Sequence, residues 1–138
     1  MPHESRAKRA MRMLLACAMI GVGILHFVSP SGFVKIVPAF LPAPALLVAV
    51  SGFFEILGGV GLLVDRVHRL AAYGLIALYL AVFPANINMA VNDLQPEGGH
   101  IPTAVLWLRL PFQALFIAWA WWLGRSARHL PTPRRRSD

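Results

Sequence analysis

The chain has 138 residues, of which 57% are hydrophobic and 14% charged, with a formal charge of +7. A soluble domain normally carries ~25% charged residues, so this composition excludes an ordinary water-exposed fold. Nucleic acid is excluded as the partner of the positive charge, because no aromatic interleaving or recognition helix accompanies it.

The chain reads as one domain, residues 1–138, with four apolar runs at about 11–28, 43–64, 70–91 and 101–123. Each is near the ~20 residues that a spanning helix requires. The polar residues 1–9 are expected to be disordered ahead of the first run. Within that run the stretch Leu14-Leu15-Ala16-Cys17 only faintly matches a lipoprotein cleavage box, because Arg12 interrupts the apolar sequence before it. No small-residue cleavage pattern follows Leu25, so the first span is expected to stay in the mature protein. Cys17 is the only cysteine, which rules out an intramolecular disulfide and a CxxC redox centre.

Between the first two runs, Phe33, Val34, Ile36, Val37, Phe40 and Leu41 lie among Pro30, Pro38, Pro42 and Pro44. The prolines forbid a long helix. Residues 31–37 are therefore expected to form a short interfacial helix with Ser31 as N-cap, lying on the periplasmic surface as a lid. The link Asp65 to His68 is so short that spans two and three must form an antiparallel hairpin. Asn92 to His100 reads as a polar outer loop, with Pro96-Glu97-Gly98-Gly99 as turn signals. Trp107 at one end, and Trp119, Trp121 and Trp122 at the other, match aromatic belts.

Basic residues set the orientation. Arg6, Lys8, Arg9 and Arg12 precede span one, Arg66 and Arg69 lie between spans two and three, and Arg125, Arg128 and Arg134 to Arg136 follow span four. All fall on one side if the chain crosses four times, which is the positive-inside pattern. The expected fold is an all-α antiparallel four-helix bundle in the bacterial inner membrane, with tails 1–10 and 125–138 in the cytoplasm. Contact of the Arg134-Arg135-Arg136 tail with anionic lipid follows from the same pattern.

Each span carries polar residues that a bilayer resists: His26, then Glu55, then Asn86 and Asn88, then Arg109 and Gln113. A charged side chain at mid-bilayer costs at least ~2.5–3.5 kcal/mol on insertion scales, so such groups face a protein interior. At ~1.5 Å rise per residue, Glu55 lies roughly 18 Å below the outer end of its span, Arg109 roughly 12 Å and Gln113 roughly 18 Å. His26 and Asn86 lie within roughly 8 Å of the outer boundary. The pattern describes a polar pocket open to the outside above an apolar inner half. Ser51, Gly52, Gly58 and Gly59 surround Glu55 at helical spacing, a small-residue stripe suited to close helix contact. A Glu55–Arg109 ion pair, bridged by Gln113, would neutralise both charges. A buried pair that merely fixes helix order explains these two residues equally well. Pro84 and Pro111 release the carbonyls of Leu80 and Trp107, for which Asn86 and Gln113 are nearby donors. Asn86 is placed inward with Tyr79 and Val82, and Asn88 toward an interface. One His and one Glu make no metal ligand set.

At these positions the chain resembles the DoxX family of small four-span membrane proteins, from about Ala16 to Trp122. The likeness rests on Gly23-Ile-Leu-His26-Phe27, Ile36-Val-Pro-Ala-Phe-Leu-Pro42 and Ser51-Gly-Phe-Phe-Glu55-Ile-Leu-Gly-Gly59. It continues through Arg69-Leu-Ala-Ala72, Phe83-Pro-Ala-Asn86-Ile and Trp107-Leu-Arg109-Leu-Pro111-Phe-Gln113. The resemblance implies a non-catalytic accessory subunit of a quinone-linked membrane redox complex. Its partners would be membrane oxidoreductase subunits, with a second copy of the chain left open. The pocket would hold a partner's transmembrane segment or a quinone headgroup, the one cofactor implied, its carbonyls bound by Arg109, Gln113, Asn86 and His26, with Glu55 orienting Arg109. Two readings from other classes stand beside it. A small proton-coupled transporter would use Glu55 as proton carrier, although Arg109 should hold that acid ionised and repel a cationic substrate. A chaperone or sorting factor would recognise client helices through the glycines of span two.

Overall fold

The computed structural model describes residues 4–95 and 99–125. Five helices follow in order: α1 (Arg6–Val28), α2 (Pro30–Ile36), α3 (Pro44–Leu63), α4 (His68–Val91) and α5 (Thr103–Gly124). All but α2 are long and apolar enough to cross a membrane. Their outer faces are apolar too: Phe27, Phe53, Leu70, Leu80 and Leu115 are all exposed. Such a surface suits lipid contact and is foreign to a soluble monomer. The turn expected at Pro96 to Gly98, and the basic residues Arg128 and Arg134 to Arg136, lie outside the described residues.

Helix α1 begins five residues before the apolar run does. Ser5 caps it by accepting a hydrogen bond from the Lys8 backbone N–H at 3.2 Å, so residues 6–9 are helical and not disordered as expected. Side-chain contacts then hold this first turn. Arg12 is buried and donates to the Leu62 carbonyl at 2.6 Å, to Asp65 at 2.7 Å and to Glu4 at 2.9 Å. It thereby satisfies a carbonyl left open at the end of α3. Lys8 reaches the Arg125 carbonyl at 2.8 Å and lies 5.7 Å from the Trp122 ring centroid, joining the start of α1 to the end of α5. Below these contacts Leu15, Ala16, Met19, Leu62, Ala72, Leu75, Tyr79, Ala120 and Leu123 form the main core.

Glycines make the close contacts between α1 and α3. A Cβ on Gly52 would lie 2.5 Å from His26 Cβ and 3.0 Å from the Gly23 carbonyl, and one on Gly59 would lie 2.9 Å from the Ala16 carbonyl. Helices α1 and α3 can therefore touch backbone to backbone only where these side chains are absent. On the other face of α3, Gly58 receives Leu75 and Gly61 receives Ala71 of α4. These four contacts use the stripe around Glu55 and extend it by one turn.

Helix α2 starts at Pro30 and not at Ser31. Proline suits the first helical turn, where its missing N–H has no partner to lose, and Ser29 stands at the N-cap without a side-chain bond. Asn88 donates to the Ile36 carbonyl at 2.8 Å and Lys35 donates to the Gln95 carbonyl at 2.8 Å, tying α2 to the end of α4. Ile36 packs with Met89, Ala90 and Leu106 in a second, smaller core.

Two outcomes follow. Gly52→Ala is expected to destabilise the protein by about 1–3 kcal/mol through overpacking, whereas Gly74→Ala, with open space at its Cβ position, should be neutral or stabilising by up to about 1 kcal/mol; thermal unfolding in detergent compares them. The Arg12 guanidinium holds the exposed Asp65 carboxyl below its ordinary value. A depressed carboxylate contributes stability above its unfolded pKa of about 3.9 and loses it as pH falls through the lower folded value. The wild-type advantage over Asp65→Asn should therefore be largest above about pH 5 and shrink below about pH 4. A pH-independent difference would contradict the contact.

Candidate functional site

A cavity of about 580 Å³ lies at the α2 end of the helices. Its walls include His26, Glu55, Asn86, Arg109 and Gln113, so one space gathers five of the six polar span residues singled out above, without Asn88. Helix periodicity explains part of this. Glu55 lies on the buried stripe Val48, Gly52, Glu55, Gly59, Leu62 of α3, and His26 on the stripe Arg12, Leu15, Met19, Gly23, His26 of α1. The Gly23–Gly52 contact then sets the acid and the imidazole at one level.

The expected Glu55–Arg109 pair is not formed. Glu55 instead faces His26, with Oε2 at 3.2 Å from Nδ1. Arg109 is exposed and makes no ion pair or hydrogen bond with another described residue; it lines this cavity and a smaller one beside Leu25, Ser29 and Gln95. The physical reason is proximity. The glycine contact draws α1 against α3, so the first polar group to reach Glu55 belongs to α1 and not to α5.

Nor does Gln113 bridge the charges. Its Nε2 donates to the backbone carbonyl of Tyr79, while its Oε1 accepts from Asn86 Nδ2 at 2.7 Å. Because a carbonyl can only accept, the Tyr79 contact fixes the orientation of both amides. Pro84 disrupts the backbone ladder in this part of α4. The side chain that answers comes from α5 and meets Tyr79, one residue before the carbonyl expected to be free. Asn86 serves Gln113 and not the backbone break. The Tyr79 hydroxyl donates to Met19 Sδ at 2.8 Å, linking α4 to α1 just below the cavity floor.

His26 is held twice. Nδ1 lies 2.9 Å from the Val22 carbonyl, and the ring stacks on Phe33 of α2 with centroids 3.8 Å apart. The Val22 contact requires hydrogen on Nδ1, by the same donor argument. That N–H is taken by the carbonyl, and Glu55 Oε2 is left buried with no hydrogen-bond partner. Among the described residues no group of three or more His, Cys, Asp or Glu side chains gathers as a metal site.

The lining residues that reach the surface are Leu47, Val50, Ala81, Pro84, Arg109 and Phe112, all from α3, α4 and α5. Phe33, Ile36, Val37, Pro38 and Leu41 cover the α2 end. The cavity thus has a rim on the side of the helices that is apolar apart from Arg109, with polar groups beneath it and a lid across its end.

A family model described as a domain of unknown function (DUF8561) matches residues 15–124. The chain belongs to this family. No curated protein and no solved structure matches it. The matched segment contains every residue that lines the cavity and leaves out Arg12, which closes the opposite end.

Three of these features escape a reading of the sequence: the Arg12 latch, the Phe33 stack and the use of the Tyr79 carbonyl. The first left a signal. Arg12 stands in phase with Leu15, Met19, Gly23 and His26, on the face that α1 buries. The other two depend on residues from separate helices and leave none.

Gln113→Leu is expected to cost about 1–3 kcal/mol by stranding the Tyr79 carbonyl and the Asn86 amide. Asn86→Ala should then cost less in the Gln113→Leu background than in wild type. Additive costs in unfolding experiments would show that the two amides are not coupled.

Proposed function

We propose that the chain is a multi-pass protein of a bacterial plasma membrane, a DoxX-like accessory subunit without catalysis of its own. It holds the headgroup of an amphipathic, quinone-type molecule for a membrane redox partner. The observation that carries this reading is the side-facing rim, apolar apart from Arg109, above a polar floor: Val50, Ala81 and Phe112 at the surface, Glu55 and Gln113 beneath. A ligand that enters past such a rim comes from the hydrocarbon layer, tail and headgroup together. The quinone class comes from the resemblance carried by His26, Glu55, Asn86, Arg109 and Gln113. A side entrance serves this reading, where the residue depths by themselves suggest a water-facing mouth.

The pairings of Gly23 with Gly52, Ala16 with Gly59 and Gly58 with Leu75 support an antiparallel four-helix bundle. Lys8, Arg12 and Arg125 gather at the end opposite α2. By the positive-inside rule that end is cytoplasmic, with both termini, and α2 is the periplasmic lid. The binding roles divide differently from the simple expectation. Asn86 and Gln113 each use an amide hydrogen within the protein, so Arg109 is the donor left fully available to a ligand.

A second reading gains from one observation. Since Arg109 does not pair with Glu55, the objection that it holds the acid ionised falls, and the His26–Glu55 contact suits proton exchange in a small transporter.

One preparation tests both. Protein purified in mild detergent, extracted with organic solvent and analysed by mass spectrometry, should carry a quinone-type amphiphile near one per chain. Arg109→Ala, or Val50→Trp at the rim, should reduce it at least about tenfold, the scale of one lost charge-assisted hydrogen bond. Wild-type protein free of any such molecule would end the first reading. Proton-driven flux in proteoliposomes that Glu55→Gln abolishes would establish the second.

A further inference from the structure

The hydrogen bonds at the cavity floor define what a ligand must bring. Glu55 is 7% exposed and lines the cavity, no hydrogen bond from a described residue reaches its carboxylate, and its enclosed Oε2 has no partner, although a buried polar group normally has one. His26 cannot fully serve it, since the Nδ1 hydrogen goes to the Val22 carbonyl. The Gln113 and Asn86 amides bond one another and the Tyr79 carbonyl. The floor therefore lacks a donor aimed at the acid.

Charge narrows the class. Glu55 and Arg109 line the same cavity, one acid and one guanidinium, so the space has no net charge when both are ionised. A cation attracted to Glu55 would meet Arg109 at the rim, and an anion drawn to Arg109 would meet Glu55 below. The walls narrow it further: Phe33 stacked on His26, and Phe116 6.0 Å from Tyr79, present aromatic surfaces to a flat group. We infer that the cavity takes an uncharged amphiphile whose buried end is a ring hydroxyl, donating its hydrogen to Glu55. This rests on the reading of the cavity as a ligand site given above. It assigns the polarity of the ligand: the buried oxygen must carry hydrogen, as in a phenol or in the reduced, quinol form of a quinone-type molecule, and a bare carbonyl or ether oxygen leaves the acid unsatisfied.

The test uses the full chain in nanodiscs and a matched pair of probes, 4-nonylphenol and its methyl ether 4-nonylanisole, which share ring and tail and differ in the donor. Isothermal titration should show the phenol binding at least about tenfold more tightly, the scale of one hydrogen bond to a charged group. In Glu55→Leu the two affinities should come within about twofold of each other. Equal binding of both probes to wild type would overturn the donor assignment while leaving the cavity as an amphiphile site. Binding of neither would overturn both. A phenol preference that survives Glu55→Leu would remove Glu55 as the acceptor, and tighter binding of dodecylammonium than of the phenol would overturn the uncharged class. The wild-type comparison decides the polarity by itself if the variant fails to fold.

Discussion

The backbone contact between α1 and α3 is the constraint on which the rest of the molecule depends. In lipid no hydrophobic force draws two apolar helices together, and association relies on close packing and on hydrogen bonds. Gly23, Gly52 and Gly59 supply the packing by removing the side chains that would hold the helices apart. Once the backbones meet, His26 and Glu55 have no freedom of level or distance, and the acid faces the imidazole at 3.2 Å. Every later property of the site starts from that placement.

The cavity is the complement of this tight seam. Helix α3 is gripped by α1 along its length and by α4 at Gly58 and Gly61, near the short link between the two helices. Toward α2 the side chains of α3, α4 and α5 leave a space, whose polar floor the Asn86–Gln113–Tyr79 chain holds in one arrangement. Two sets of polar contacts hold the ends. Arg12 and Lys8 join α1 to the ends of α3 and α5, and Asn88 and Lys35 fasten the α2 lid to α4. A stable frame around an unsatisfied acid is consistent with the proposed binding of a lipid-soluble molecule. In the frame itself Gln113, Tyr79 and Arg12 each bond a partner on another helix, although Arg12 Nε and Trp119 Nε1 are also buried without one.

Much of this was legible in single residues. The inward direction of Glu55 follows from its glycine neighbours, because a small-residue stripe in a spanning helix faces another helix. The same stripe could not say which helix, and that ambiguity let Arg109 stand as the expected partner of Glu55. Residue depth agreed with that pairing, since Arg109 and Glu55 do line one cavity, yet depth carries no information about angular position around the bundle. Gln113 shows the same limit: the need for a donor near the prolines was visible, but the direction of donation depends on a carbonyl from another helix.

The sequence by itself determined the four apolar helices, the short proline-bounded helix between the first two, and the inward direction of His26, Glu55 and Gln113, but not of Arg109, which was expected inside and is exposed. These are one-dimensional properties: run length, helical phase and the cost of a charge in hydrocarbon. Only the tertiary structure decided that Glu55 meets His26, that Arg109 stays free at a rim, and that Arg12 turns inward to close α3. Such pairings depend on the rotation and separation of packed helices, which a few missing Cβ atoms on α1 and α3 control and which no single helix encodes.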